Sequence, residues 1–120
     1  IPELQGKVTC SAMNVPVPNG SVVDLVCWHE KPVTRESINE VVRTAAASRW
    51  KRYVDYEAYP IVSSDIVRSP YSSTFDSLAT MALGETVSKT LSWYDNGWGY
   101  ANRVVDLIQR FAELDQKEAA

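Results

Sequence analysis

Ser92–Leu107 reads SWYDNGWGYANRVVDL, a stretch unlike the rest of the chain. A strand-like run ending at Trp93 breaks at Asp95-Asn96-Gly97, a strong turn signal. The spacing beyond it predicts a helix that begins between Gly99 and Asn102 and carries Val104, Ile108, Phe111 and Leu114 on one side. Trp93, Tyr94, Trp98 and Tyr100 surround the break, interleaved with Asn96, Asn102 and Arg103. Aromatic faces beside an amide and backbone groups released by a turn suit a flat polar ligand such as a cofactor ring. The competing reading is that the aromatics seal a strand-to-helix corner.

Outward from this corner, Thr86–Trp93 alternates, with Val87, Lys89, Leu91 and Trp93 on one face. Ser73–Leu83 is its natural hairpin partner across Gly84-Glu85. Between Trp50 and Ser72 the pattern is irregular, with short strands expected at Tyr53–Tyr56 and Ile61–Ser63, split by Tyr59-Pro60. A helix opens at Thr34, a good N-cap, with Glu36 in the first turn. Ile38, Val41, Val42 and Ala45 follow helical spacing, and Arg43 and Arg49 lie toward its C-terminal end. Nearer the start, Lys7–Val15 alternates as a half-buried strand would, Pro16–Gly20 stops it, and Ser21–Glu30 forms a second strand. Pairing about Pro18-Asn19 would set Cys10 opposite Cys27, both as buried reduced thiols. The polar tail Asp115–Ala120 is expected to fray. The order is two strands, a helix, four strands and a terminal helix. That is an α+β architecture: a mostly antiparallel sheet covered by helices on one side.

Composition narrows the function classes. The 120 residues make one domain, and 45% apolar with 22% charged content belongs to a folded chain rather than a disordered one. No apolar run approaches the roughly 20 residues of a membrane span, so no membrane partner is expected. A net charge of −3, with Arg49–Arg52 as the sole basic knot, argues against a nucleic-acid partner. The knot itself reads as a solvated helix end. Ile1-Pro2-Glu3-Leu4, with neither initiator Met nor signal peptide, reads as a chain entered partway.

Catalytic groups are sparse. His29, the single histidine, stands beside Glu30 with no nucleophile in sight. Asp24, Asp65 and Asp76 fall in strand-like runs, where two could meet across a sheet or each bind backbone amides. No metal-ligand spacing and no Gly-rich phosphate loop occur. The residues alone make no complete catalytic constellation.

The opening stretch nevertheless has a counterpart. WYDNGWGYANRVVDL resembles the carboxy-terminal signature of the phosphorylating glyceraldehyde-3-phosphate dehydrogenases, WYDNEWGY followed by SxRVVDL. Ile1–Lys7 (IPELQGK) is similar to the family's LPELxGK, and Val15–Leu25 (VPVPNGSVVDL) to its VPTPNVSVVDL. Glu30-Lys31-Pro32, Ile61–Asp65 and Ser72–Asp76 match its EKP, xVSxD and SSTFD segments in order. Several ordered motifs over most of the chain are far more specific than any one.

The resemblance implies roles for individual positions. Asn96 stands where the family's asparagine bonds the nicotinamide carboxamide of NAD or NADP, and Tyr100 where a tyrosine packs near that ring. Trp93 and Trp98 are left as core. Gly97 replaces the family's usual glutamate, and Asn14 replaces an arginine that binds substrate or inorganic phosphate. An amide offers no bidentate charged clamp, so weaker phosphate binding or a different substrate is expected. The catalytic cysteine, its histidine and the Rossmann domain lie in the family before the counterpart of Ile1, so these residues alone are expected to be inactive. Residues 1–98 would form part of the catalytic and tetramer-interface domain, and 99–120 a helix packed on the cofactor-binding domain. The implied partners are the remainder of the dehydrogenase polypeptide, further copies in a tetramer, and a phosphorylated aldehyde. The resemblance implies a cytoplasmic setting, with a plastid as the alternative, in glycolysis or carbon fixation. Two alternatives remain: a stand-alone assembly or regulatory domain, and a dehydrogenase of another phosphorylated aldehyde such as erythrose 4-phosphate.

Overall fold

The computed structural model describes residues 1–118. A short 3-10 turn at Pro2–Leu4 precedes strand β1 (Ser21–Trp28), helix α1 (Arg35–Ala47) and strand β2 (Val54–Glu57). A second 3-10 turn, Ser63–Ile66, leads to β3 (Ser73–Leu83), β4 (Val87–Tyr94) and helix α2 (Trp98–Glu118). The four strands form one sheet in the order β1-β4-β3-β2. β4 pairs antiparallel with both β1 and β3, while β2 pairs parallel with β3. The α+β class is as expected, and the sheet is mixed, with one parallel edge.

Local chemistry explains the elements that match expectation. Thr34 caps α1: its hydroxyl accepts from the Ser37 amide (3.1 Å), and the Ser37 hydroxyl accepts from the Thr34 amide (2.9 Å). This reciprocal box satisfies two amide donors that a helix start leaves without partners. Thr34→Ala should therefore cost about 1 kcal/mol, read from the urea midpoint at constant m. Gly84, at φ +60, turns the β3–β4 hairpin. In mid-strand, β3 takes five steps from Asp76 to Met81 where β4 takes two, from Leu91 to Lys89. Asp76 stabilises this irregularity by accepting from the amides of Leu78 (3.1 Å) and Ala79 (3.0 Å). Its other oxygen takes the Trp93 indole N–H (3.2 Å).

Several expectations fail where a partner was assumed. Lys7–Val15 is not a strand, and apart from the 3-10 turn the first nineteen residues are irregular. Gly20, at φ +94, lies against the Ser63 backbone, and Asn19 is bonded to Asp95. The chain therefore enters β1 from the Tyr94 end of β4 and does not fold back along β1's free edge. Cys10 is consequently exposed rather than opposite Cys27, and Cys27 is half-buried, in register with Ser88. Ile61–Ser63 is not a strand either. Pro60 lacks an amide donor, and the Asp65 carboxylate accepts from Val62 N–H (2.7 Å), which closes a turn. The sheet thus has four strands rather than six. α2 is helical through Glu118, so Asp115–Glu118 belong to the helix, and positions 119 and 120 lie outside the described residues.

The helices do not form a common layer. α1 packs on β3 and β2, where the Arg35 guanidinium donates to the carbonyls of Ser77 and Leu78 and the Asn39 amide to that of Ser77. Phe75 stacks on Tyr56 beneath it, with ring centroids 6.0 Å apart. α2 does not cover the sheet. Among the described residues the buried apolar side chains are only Ala46, Ile66 and Phe75. The accessible surface is 9432 Å², against about 6,500 Å² for a compact chain of this mass. Val22, Val26, Trp28, Met81 and Leu83 lie exposed on one face of the sheet, and Val23 and Leu25 on the other.

Candidate functional site

The corner between β4 and α2 is built on Asp95, which is 4% exposed. One carboxylate oxygen, Oδ1, accepts from the amides of Gly97 (3.0 Å) and Trp98 (2.8 Å). Its backbone carbonyl takes the first helical bond, from Gly99 (3.0 Å). Asp95 therefore serves as N-cap of α2. The other oxygen, Oδ2, accepts from the Asn19 side-chain amide (2.8 Å) and the Arg68 backbone amide (2.9 Å). The hydrogen bond from Trp98, then that from Arg68, lead the influences that hold this carboxyl below its ordinary 3.8, with Asn19 and Gly97 adding to them against the effect of burial.

This frame holds the next residue out. Asn96 is exposed, and its amide makes no side-chain hydrogen bond among the described residues. Tyr100, one turn into α2, is 72% exposed. Trp93 is half-buried and Trp98 is 49% exposed, so neither belongs to the buried core. Trp98 and Tyr100 lie on nearly opposite sides of the first turn, and both stay exposed because α2 does not pack on the sheet. Gly99 is where α2 meets the body: a Cβ there would stand 2.8 Å from the Tyr71 carbonyl. Gly97 is different, because its φ is not left-handed and a Cβ would meet only Asp95 Oδ1 at 3.7 Å. Neither space nor backbone thus demands glycine in place of the family's glutamate.

Further along α2, Arg103 lies 4.8 Å from the Tyr53 ring centre and donates to Ser72 Oγ (3.2 Å). Asp106 pairs with Arg103 (2.8 Å) and with Arg52, so the basic knot is engaged with α2 rather than simply solvated. A cleft of about 620 Å³ beside them includes Arg110, which pairs with Glu113. The arginines there already have carboxylate partners. Leu107, which also lines this cleft, and Ile108 and Phe111 are exposed along α2.

The remaining candidates resolve simply. Asn14 is exposed in the irregular leading segment, and no described contact joins it to Asn96 or Tyr100. His29 does have a hydroxyl neighbour, since its Nε2 lies 2.7 Å from Ser88 Oγ. Ser88 is buried within β4 and no carboxylate bonds the ring, so the pair is a satisfied core contact. Asp65 and Asp76 bind backbone amides, and Asp24 pairs with Lys89 on the exposed sheet. Among the described residues no cluster suits a metal ion. Sequence reasoning missed Asp95 and Asn19. An Asp placed two and three residues before the amides of a helix start is a capping signal, but nothing local points from Asn19 to a residue 76 positions away.

These features define a class: an α+β sheet domain with a small core, broad uncovered apolar faces and one rigid polar corner at its edge. The family model described as glyceraldehyde 3-phosphate dehydrogenase, C-terminal domain, matches residues 1–96. The chain belongs to this oxidoreductase family. It is 49% identical over 107 residues to glyceraldehyde-3-phosphate dehydrogenase 2 of Streptomyces avermitilis, covering 89% of this chain and 32% of that protein. It is 49% identical over 115 residues to glyceraldehyde-3-phosphate dehydrogenase of Borreliella burgdorferi, covering 94% of this chain and 34% of that protein. A third relative, from Mycobacterium avium, is 48% identical over 108 residues, covering 90% of this chain and 32% of that protein. The chain spans about a third of the length of the curated relatives it matches.

Proposed function

We propose that this chain supplies the nicotinamide-facing corner of a glyceraldehyde-3-phosphate dehydrogenase-type enzyme. The observation that carries the reading is the pairing of a free, exposed Asn96 with a fully bonded Asp95. An amide that follows this anchored carboxylate and is left without a partner offers N–H donors and a carbonyl acceptor, the complement of a carboxamide. The donor set therefore fits NAD or NADP. Asn96 would bond the carboxamide, and the exposed Tyr100 would shield the ring from water. When bound, the dinucleotide supplies the hydride acceptor for oxidation of a phosphorylated aldehyde. The cysteine nucleophile and its histidine would come from the rest of the polypeptide, since Cys10 is exposed and distant in sequence from the corner and Cys27 is part of β1. Alone, residues 1–120 should have no dehydrogenase activity.

The uncovered apolar faces support partners of two kinds. The exposed stripe of α2 is suited to the cofactor-binding part of the enzyme, and the sheet faces around Trp28 to other copies in a cytoplasmic tetramer. The test is a chimera in which this chain replaces the matching third of the Borreliella burgdorferi relative. It should oxidise glyceraldehyde 3-phosphate with NAD or NADP, and Asn96→Ala should lower kcat/KM about 100-fold through loss of ring orientation. A folded chimera indifferent to Asn96→Ala would defeat the proposal and favour a stand-alone assembly role. In the same chimera Asn14→Arg should lower the KM for phosphate about tenfold, as a charged clamp replaces a neutral amide. An unchanged phosphate KM would remove Asn14 from the phosphate site.

A further inference from the structure

The two oxygens of Asp95 have different partners and different consequences. Oδ1 takes the amides of Gly97 and Trp98, which is all that an N-cap requires. Oδ2 is not needed to start a helix, yet it accepts from two distant segments at Asn19 and Arg68. Both donors are themselves fixed. Asn19 Oδ1 accepts from the Gly20 amide (2.7 Å), which sets the orientation of its side chain. Gly20 adopts φ +94 with its α-carbon so close to Ser63 that a Cβ would stand 2.8 Å from the Ser63 carbonyl. Arg68 is the single non-glycine residue with positive φ (+65) among the described residues, a conformation that persists only when its surroundings hold it.

The placement of this knot gives it meaning. Asn96 follows Asp95 directly, while Asn14 lies five residues before Asn19. Among the described residues, the Asn19–Asp95 bond is the one side-chain hydrogen bond that joins residues 1–19 to any residue beyond Gly20, and the backbone bonds of residues 1–18 stay within that segment. We propose that the Asn19–Asp95–Arg68 knot is a positioning latch, holding the Asn96 amide in a fixed direction and in one frame with the leading segment that carries Asn14. The latch rests on the reading of Asn96 as the nicotinamide contact. Asp95 and Asn19 are positioning residues, their side chains bonded within the knot, and Arg68 takes part through its backbone amide.

Two single variants separate latch from cap. In Asp95→Asn the retained oxygen can still face Gly97 and Trp98, while the new Nδ2 confronts the donors of Asn19 and Arg68. The cap stays and the latch opens. Asn19→Ala removes one arm of the latch and leaves the cap untouched. The swap Asn19→Asp with Asp95→Asn restores one hydrogen bond with donor and acceptor exchanged, and Asp at position 19 still accepts from the Gly20 amide.

The variants are compared in the chimera by kcat and cofactor KM, and in the 120-residue chain by ¹⁵N relaxation at Asn96. Each single variant should lower kcat about tenfold, leave the cofactor KM within about twofold and mobilise the Asn96 amide, and the swap should recover kcat in part. Should both single variants keep kcat within twofold while Asn96→Ala still loses about 100-fold, the latch is overturned and the functional reading stands. A swap that restores thermal stability but not kcat also overturns it, by reducing the knot to a structural role. If instead Asn96→Ala is silent, the functional reading fails. The latch then stands or falls on whether Asp95→Asn and Asn19→Ala mobilise Asn96.

Discussion

Asp95→Ala is expected to destabilise the chain by about 4 kcal/mol. Four donors lose their acceptor at once: the amides of Arg68, Gly97 and Trp98 and the side chain of Asn19. A buried donor left unpaired costs about 1–3 kcal/mol, and the exposed surroundings of Asn96 and Gly97 let water recover part of the total. The carboxyl is also a pH sensor of predictable sign. Its folded pKa is depressed below the ordinary 3.8, first by the hydrogen bond from Trp98 and then by that from Arg68. The stabilisation is therefore fully present above about pH 4 and is lost as pH falls through the lower folded value. Urea titrations from pH 6 to pH 2 should show wild type losing stability over that acid window and Asp95→Ala losing less. Parallel curves would mean that the carboxylate's bonds contribute nothing net.

Phe75→Ala should have a comparable effect, about 3–5 kcal/mol, for a different reason. Phe75 is 5% exposed, stacks on Tyr56 and is buried with only Ala46 and Ile66 among the described apolar residues. A native state whose stability is typically about 5–15 kcal/mol cannot lose the centre of so small a core and stay cooperative. The variant should bind a hydrophobic dye and lose near-UV dichroism while far-UV helix signal persists. Trp28→Ala, at 79% exposure, should change the isolated chain by no more than about 0.5 kcal/mol. The contrast locates the core under α1 and not on the open sheet.

Much of the fold was legible because its causes are local. Thr34 and Ser37 satisfy each other three residues apart, Gly84 turns a hairpin, and period-two alternation marks β4. The failures came where a pattern needed a distant partner. Lys7–Val15 alternates like a strand, but a strand exists only when another edge accepts its hydrogen bonds, and the turn at Gly20 carries it elsewhere. Ile61–Ser63 has strand residues but yields to a side-chain cap from Asp65. At the site, Asn96 and Tyr100 were reached through ordered motifs, and their exposure is a fact of the structure alone.

The Asp95-Asn96-Gly97 corner divides along the same line. By itself the sequence determined a strand that stops, a turn and an amphipathic helix, because propensity, capping and periodicity act over a few residues. Only the tertiary structure decided that Asp95 binds Asn19 from 76 positions away, that Trp98 faces outward and that Asn96 stands free. Hydrogen bonds between remote segments depend on how the sheet brings them together, and no local pattern encodes that.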